Sequence, residues 1–533
     1  MTAHEDAPTA GANLPIGAIV AAMRAQPAGL RTLLACTVSA SATAFEPGYL
    51  TLSTSVIQSG LRAPNSSAPL MLATAFLVLS VLTLAIGSLA DAVGRRVVLQ
   101  VGLAGLTLAN AGAMIALHQP GWFALADTLT TTFGAIVLPA SMAIVTLAFA
   151  EELRPFAYGV MFGCQGLAMA SSPLLIPLLG GWWDGRASFV PVLGLLVTAL
   201  MLVHRHVPAR AADRSVPHRA MLLNCMFVAG LFTVLFLTVT LGIRNGTTLI
   251  ALAVACGLLL VALSVRGLAR RSKHFVGVEL YGGRYLGLAI FAGLMLVFAQ
   301  GCFFYQIYPY FTAVQQVGDV LTALRYTPYV AGLVVGGVVV ARLMVRFGAR
   351  LVLAFSVVTM GLGLLGLAFV RVDTPFWAMI VPITLIGLAA GVGGPVRTSV
   401  VMAARPLGLV GQSAAINISA GQSGYALGVI ISSVLVTQHA DRIFVEELHA
   451  AGVPAQSVQV IAGLLSDWAA RLLLTRYPAL PDAVQQLSGV SYAAAFTTGL
   501  NGMFAIAAVI MFVTAAIVFV GMTRAPAVTT SGA

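Results

Sequence analysis

Charged residues are scarce in this sequence. Asp, Glu, Lys and Arg together make up 8% of the 533 residues, whereas 59% are hydrophobic, and the mean hydropathy is +0.97. An ordinary soluble domain carries roughly 25% charged residues. Because so few charges cannot cover a water-exposed surface of this size, the composition excludes a soluble globular protein and predicts one whose solvent is the lipid bilayer.

Side chains that pumps and catalytic sites depend on are also missing. The chain has one lysine, Lys273, and no G-x-x-x-x-G-K-[ST] segment, which excludes a nucleotide-driven pump. All 8 histidines fall in tails, loops or helix ends, so neither a histidine relay nor a nucleophile–base pair is expected within the membrane. We therefore expect a protein that is not an enzyme and that binds no cofactor.

Paired cysteines and a clustered basic surface are absent too. The 5 cysteines lie inside apolar runs without C-x-x-C spacing, which indicates buried free thiols rather than disulfides or a zinc site. The net charge of +11 comes from basic residues placed between apolar runs, with no basic stripe interleaved with aromatics. The charge therefore indicates membrane topology and no nucleic-acid partner.

The sequence contains many long apolar runs. A spanning helix needs ~20 apolar residues to cross ~30 Å of hydrocarbon. Such runs occur at about 32–56, 68–90, 97–118, 121–149, 157–181, 187–204, 220–241, 247–265, 285–312, 327–345, 350–370, 375–402, 412–437 and 494–522. The pattern predicts an all-α membrane protein with about fourteen spans.

Basic residues alternate between the two sides of this predicted bundle. With the N-terminus inside, most of the 28 Lys and Arg residues fall in cytoplasmic segments, and Arg397 falls within a span. A miscount by one span would mix the two sides further along the chain. We therefore predict an even number of spans in the plasma (inner) membrane, with both termini cytoplasmic.

The segment from Gly87 to Arg96, between the second and third runs, carries the most specific local signal. It reads GSLADAVGRR, so a helix ends in the carboxylate of Asp91, a glycine turns the chain at Gly94, and Arg95 and Arg96 follow. Asp91 can face the N-terminus of a neighbouring helix or pair with an arginine, and the glycines permit close helix approach. This arrangement suits a latch that breaks and reforms between two transporter states. The plain alternative is a loop whose arginines only set topology.

This segment resembles the signature loop of the major facilitator superfamily, G-x-L-a-D-r-x-G-R-R. Other segments resemble the superfamily's fourteen-helix drug:proton antiporter branch: the first-helix motif around Glu46, the fourth-helix segment 138–141 with Pro139, and the thirteenth-helix segment 411–428 with Asn417 and Gln422. The resemblance covers nearly the whole chain. It implies the major facilitator fold, with two six-helix bundles, two inserted helices and transport driven by the proton gradient.

The resemblance also implies a division of the chain. The predicted segments are a cytoplasmic tail 1–28, an N-terminal bundle 29–206, inserted helices 207–273, a C-terminal bundle 274–523 and a cytoplasmic tail 524–533. An outside segment, 438–493, either rests on the membrane surface, caps the pathway or packs on itself.

Three motifs depart from the family pattern. Asp127 occupies the position of the family's fourth-helix arginine. Residues 341–350 resemble the signature loop in the second half of the chain but lack its acidic residue. The fifth-helix G-P-x-x-G-G motif is replaced by Ser172-Pro173 and Pro177, with Gly180 and Gly181 displaced downstream. These changes leave the direction of transport open.

Two carboxylates fall within predicted spans. Carboxylates are costly in hydrocarbon, so Glu46 and Asp127 are candidates for proton coupling. Counting at ~1.5 Å per residue places both ~20 Å from the inner edge. Asp127 has the plainer alternative of standing near the aqueous end of its helix.

Substrate-cavity candidates come from three spans. Gln300, Phe304 and Tyr305 lie deep in an aromatic ninth span, and the thirteenth contributes Asn417 and Gln422. An aromatic belt at the outer interface is the alternative for the ninth span. We expect Arg397 to extend to the inner surface, although binding an anionic substrate or pairing with a carboxylate stays open.

The sequence therefore predicts a proton-coupled secondary transporter. Export of small hydrophobic or amphipathic compounds is expected, with uptake of a small organic solute and a non-transporting, receptor-like protein as alternatives. The expected partners are the substrate and the lipid bilayer. A monomer is expected, with accessory envelope proteins as a further option.

Overall fold

The computed structural model describes residues 23–45, 93–180, 182–209, 284–403, 410–450 and 492–522, together with single positions between 76 and 90 and between 452 and 459. Within these residues every long element is a helix. Glu46, Asp91, Gly181 and the inserted helices predicted at 220–265 lie outside them.

The N-terminal half forms one helical bundle. Its helices are α1 (Pro27–Thr43), α2 (Arg95–Ile115), α3 (Pro120–Ala148), α4 (Arg154–Gly180) and α5 (Val190–His206). The described positions between Phe76 and Val93 are also helical, and we call them the 76–93 segment. Proline stands in the first turn of α1, α3 and α5, where its missing N–H has no intrahelical acceptor to lose.

The C-terminal half forms a second bundle. Its helices are α6 (Arg284–Pro309, continued by a π-turn Tyr310–Val314), the short α7 (Asp319–Leu324), α8 (Thr327–Leu367), α9 (Phe376–Ala403), α10 (Val410–Ala450) and α11 (Tyr492–Gly521). Gly348 breaks α8 into two helices of about a membrane thickness each, because its φ of 75° and ψ of 158° are not helical.

Several described helices match the predicted spans closely. The run predicted at 97–118 is Arg95–Ile115, and that at 375–402 is Phe376–Ala403. Eight helices of the described chain are long and apolar enough to cross a membrane, and one of them contains the Gly348 break. A total of about fourteen spans stays a prediction.

The helix that contains the thirteenth predicted span is longer than the span itself. The apolar run ends near 437, where the predicted outside segment begins, and α10 continues to Ala450. At ~1.5 Å per residue the helix is ~60 Å long, twice the hydrocarbon thickness. Its last turns bury Phe444 and Leu448 against Tyr492, so an amphipathic stretch prolongs the apolar helix.

Each half has its own hydrophobic core. One core joins buried side chains between Met23 and Val207 and extends into the C-terminal half at Ala341, Met402, Val410, Ala414 and Ile418. The other joins buried side chains between Ala289 and Met522. Contacts near the helix ends bring several termini together. Thr32 donates to the carbonyl of His206, and Arg350 donates to that of Phe519. We call the end of the molecule that carries Arg95, Arg96, Arg154 and Arg350 the basic end.

Candidate functional site

The two halves meet along the 76–93 segment and α10. The hydroxyl oxygens of Ser80 and Ser419 are 2.6 Å apart, and those of Ser80 and Ser423 are 2.9 Å apart. On the side away from the basic end, the rings of Phe76 and Tyr425 lie with their centroids 4.4 Å apart. Short polar side chains therefore allow two helices from different bundles to approach closely.

This contact continues to the basic end. A Cβ placed on Gly87 would lie 2.5 Å from the carbonyl oxygen of Gly411 and would collide with Ala415. Gly411 is in the first turn of α10, so the 76–93 segment ends against a helix N-terminus. Asp91, one turn further along, lies beyond the described residues, and its predicted role in a latch stays a prediction.

A second contact between the halves joins α4 to α8. A Cβ on Gly159 would collide with the carbonyl oxygen of Gly337, and a Cβ on Gly337 would lie 2.8 Å from the carbonyl oxygen of Gly159. Gly166, two turns after Gly159 on α4, faces Leu333, which is one turn before Gly337 on α8. Backbone meets backbone at Gly159 and Gly337, so α4 and α8 approach each other closely.

The glycine turns at 94 and 348 share a geometry. Gly94 has φ 114° and ψ 123°, and Gly348 has φ 75° and ψ 158°, conformations that disfavour a side chain. Gly94 lies between the 76–93 segment and α2, and Gly348 lies in the same way between the two parts of α8. The resemblance between the two loops therefore extends from sequence to backbone conformation.

Arginines after these glycines make equivalent bonds. Nη2 of Arg96 donates to the carbonyl of His204 at 2.6 Å, and Nε of Arg350 donates to that of Phe519 at 2.8 Å. Each arginine stands two residues after its glycine, and each acceptor stands two residues before the end of the last helix of its bundle. Arg95 also has a partner, so neither arginine of the loop is merely a solvated topology signal.

Asp127 lines a pocket in the N-terminal bundle. The pocket is bounded by residues of α1, α2, α3 and α5, including Thr43, Asn110 and Thr130. Asp127 is half-buried and stands seven residues into α3, ~10 Å along the helix from its start. The geometry therefore gives this carboxylate polar neighbours and access to a cavity.

The end of α1 leads into the same pocket. Ala42 and Thr43 line it, three to four residues before Glu46. Glu46 itself lies past the described end of this segment, so its predicted place at the depth of Asp127 stays a prediction.

Arg397 does not extend to an exposed surface as expected. Its side chain is only 5% exposed, and in the described structure Nε and Nη1 have no hydrogen-bond partner. Glycines at 293 and 421 leave the space that the guanidinium fills within the bundle. The expectation of a surface position is therefore wrong.

Asn417 joins the two bundles beside Arg397. Its Nδ2 donates to Oγ1 of Thr398 at 2.9 Å and lies 4.0 Å from Sδ of Met142 on α3. Gln422 is half-buried on the same helix. Asn417 thus lies between the two bundles, ~10 Å along α10 from its start at the basic end.

The aromatic candidates of α6 contact α8 rather than form a simple surface belt. The ring of Phe304 has its centroid 5.7 Å from that of Tyr326 and 4.9 Å from that of Tyr329, whose hydroxyl donates to Oε1 of Gln300 at 3.5 Å. The hydroxyl of Tyr305 bonds Ser433 on α10. These contacts form a polar and aromatic cluster inside the C-terminal bundle. Its role in substrate binding stays a prediction.

The predicted packing residues have mixed outcomes. Pro139 lies inside α3, which continues through it as a helix. Pro173 lies within α4, and Gly180 is the last residue of that helix. Gly181 is among the residues without a described position.

Sequence reasoning missed the serine contacts and the Gly159–Gly337 contact. Ser419 and Ser423 stand four residues apart, the spacing of small residues at close helix contacts. That signal marks one helix face, although it does not identify Ser80 as the partner.

The sequence matches a known family over more than half its length. A family model described as Major Facilitator Superfamily matches residues 30–314 of the 533. The match covers the N-terminal bundle from Leu30 onward and the whole of α6 with its π-turn.

Two relatives extend the comparison to most of the chain. The multidrug efflux pump LfrA of Mycolicibacterium smegmatis is 23% identical over 453 residues, which cover 84% of this chain and 87% of that protein. The methyl viologen resistance protein SmvA of Salmonella typhimurium is 25% identical over 377 residues, which cover 68% of this chain and 73% of that protein.

A solved structure shares the architecture. The human organic anion transporter MFSD10 superposes with a TM-score of 0.56 at 15% identity, covering 91% of this chain and 100% of that one. At this identity the likeness shows the fold alone, and it confirms the predicted fold class.

Proposed function

Because this chain belongs to the major facilitator superfamily, a family of membrane transporters, we propose that it exports small hydrophobic or amphipathic compounds in exchange for protons. The observation that carries the proposal is similarity along most of the chain to proteins named for efflux and resistance, above all LfrA.

The contact between the bundles supports a transport cycle. Glycine and serine contacts hold the halves together on the part of the molecule towards the basic end. Alternating access needs two rigid bundles that rock about a central site. The 76–93 segment on α10 and α4 on α8 provide two such movable contacts.

Asp127 is the proposed proton carrier. It is a carboxylate in a cavity of the N-terminal bundle, and no histidine stands in the interior of a predicted span to share that role. A proton bound to Asp127 from outside would be released inside after the bundles rock, and Glu46 is the second candidate. The carboxylate changes charge in each cycle, which ties proton release to the conformational state.

The proposal includes the membrane in which the protein lies and the side on which its termini lie. We place the protein in the plasma (inner) membrane as a monomer with both termini in the cytoplasm. The support is the accumulation of arginine at one end of the molecule, where Arg96 and Arg350 stand. Reporter fusions to the two termini that are active only in the cytoplasm would test the orientation.

Proton coupling is testable in everted vesicles that contain the full chain and a pH-sensitive dye. Compounds from a panel of hydrophobic and amphipathic drugs are expected to dissipate the pH gradient. Asp127→Asn is expected to abolish this flux while the compounds still bind, since the amide cannot exchange a proton. Asp373→Asn, which changes an exposed loop carboxylate, is the matched control and should keep the flux.

Two results would contradict the proposal. If no compound dissipates the gradient, export by antiport is wrong. If Asp127→Asn exchanges protons like the unaltered chain, the proton carrier lies elsewhere, and Glu46→Gln then tests the second carboxylate.

A further inference from the structure

Arg397 is a buried cation of the C-terminal bundle. Its side chain is 5% exposed, and within the described residues neither Nε nor Nη1 has a hydrogen-bond acceptor. A buried charge without a partner is costly in a protein interior, and more so in a membrane. Such a residue therefore needs a compensating anion.

Two glycines shape the space that the guanidinium occupies. A Cβ on Gly293 of α6 would lie 2.6 Å from Nη1 and 2.9 Å from Nε. A Cβ on Gly421 of α10 would lie 3.3 Å from Nη2. The cation is thus enclosed by backbone on two helices and fixed in position.

Arg397 also lies near the contact between the halves. Gly394, one turn earlier on α9, lies under the ring of Phe162 of α4, with a Cβ-to-ring distance of 3.7 Å. Asn417, one turn from Gly421, reaches Met142 of α3. Separation of the bundles along these contacts would expose the region around Arg397 to a central pathway.

The helices around Arg397 offer no carboxylate at its level. Helices α6, α8, α9 and α11 contain no Asp or Glu, and the first in α10 is Asp441, ~30 Å along the helix from Gly421. Helices α9 and α3 both terminate at the basic end of the molecule. Arg397 lies ~9 Å back along α9 from that terminus, whereas Asp127 lies ~32 Å back along α3. Their depths differ by far more than an ion pair allows.

We infer that Arg397 binds the acidic group of the transported compound, so that amphipathic carboxylates are preferred over their neutral analogues. The inference rests on the proposed function for the direction of transport but not for the binding itself. A guanidinium presents a planar fork of donors that fits a carboxylate, and the low dielectric around it strengthens the bond. The aromatic cluster at Gln300 and Phe304, ~11–17 Å along α6 from Gly293, would receive the apolar part of a molecule long enough to reach it.

A pair of probes that differ in one charge tests the inference. We would measure equilibrium binding of 6-(dansylamino)hexanoate and its primary amide to the purified full chain by dansyl fluorescence. The unaltered chain is expected to bind the acid about tenfold more tightly than the amide, the usual strength of a charge-assisted bond. Arg397→Gln should remove that preference, leaving amide affinity unchanged, and Arg397→Lys should keep part of it.

Gly293→Ala provides a second variant that keeps the charge. The added methyl would collide with the arginine side chain and displace it, so affinity for the acid should fall. Gly287→Ala on the same helix is the matched control, because nothing lies within 4 Å of its added Cβ. Thermal unfolding of each purified variant confirms that it is folded.

Binding and transport separate the two proposals. Equal affinity for acid and amide, absence of binding by both, or an equal loss of both in Arg397→Gln overturns the inference. Binding of the acid through Arg397 without its accumulation in energised everted vesicles would uphold the site and contradict proton-driven export.

Discussion

Gly94 and Gly348 show how single residues fix the loops at the basic end. Both have positive φ, at 114° and 75°, in regions that residues with a Cβ rarely occupy. Each glycine is followed, two residues on, by an arginine that bonds the last helix of its bundle. A strained residue here would therefore disturb both the turn and the arginine contact.

Gly94→Ala and Gly348→Ala are each expected to lower the free energy of unfolding by about 1–3 kcal/mol, the cost of holding an alanine in such a conformation. Unfolding in mixed detergent micelles with increasing dodecyl sulfate gives the measurement. Gly163→Ala, inside α4 with nothing within 4 Å of the new Cβ, should be neutral or stabilising. Equal stability of all three variants would contradict the strain argument.

The charged residues show what sequence can and cannot predict at this scale. Asp127 was identified because a carboxylate in an apolar run is costly wherever the run packs. Arg397 was placed wrongly because an arginine near a helix end usually extends to the interface. Its burial depends on Gly293 and Gly421, which are distant in sequence and become neighbours only when three helices pack.

At the level of elements, glycines set how closely α8 and α9 approach. Cβ atoms on Gly332 and Gly336 of α8 would meet the backbone of α9, and Cβ atoms on Gly387 and Gly391 would meet that of α8. The helices therefore touch through their backbones along about two turns. Helices in lipid associate through this kind of close packing because no water is released between them.

Gly391→Ala is expected to destabilise the C-terminal bundle by about 1–3 kcal/mol, because the methyl group collides with the carbonyl of Leu333 and forces the helices apart. The same detergent unfolding experiment measures the change. Gly194→Ala on α5, with nothing within 4 Å, is the control. A Gly391→Ala protein as stable as the Gly194→Ala protein would show that the contact is not tight in solution.

Element boundaries were predictable wherever the apolar run itself ends. The second described helix, Arg95–Ile115, begins at the arginine pair and stops within three residues of the prediction. α10 is longer than the span predicted within it. Hydropathy falls after 437, whereas helix formation continues through an amphipathic stretch that packs Phe444 on Tyr492. Hydropathy therefore predicts which residues lie in the membrane, and it does not predict where the helix ends.

At the level of the whole molecule, the serine contact joins the halves. Ser80 bonds Ser419 and Ser423 across 339 and 343 residues of sequence. If the halves separate here during transport, a covalent link at this point would hold them in one state.

Ser80→Cys/Ser419→Cys, in a chain whose five native cysteines are replaced by alanine, is expected to form a disulfide on oxidation and to stop drug-driven proton flux, which reduction restores. The basis is the 2.6 Å separation of the two hydroxyl oxygens. Ser80→Cys/Ser432→Cys is the control, since Ser432 lies ~13 Å further along α10 than Ser423. A cross-linked protein that transports at the full rate would show that the halves do not part at this contact.

From the sequence we could predict that the bilayer is the solvent, that the fold is helical, where many of the described helices begin and end, and that the chain turns at Gly94. These features follow from local properties, namely the length of apolar runs, the placement of arginines and the conformational freedom of glycine. The contacts of Ser80 with Ser419 and of Gly159 with Gly337, and the enclosure of Arg397, became visible only in the packed molecule. Such contacts depend on which helices pack against each other. A transmembrane helix with small residues on several faces has no local sequence signal that identifies its neighbour.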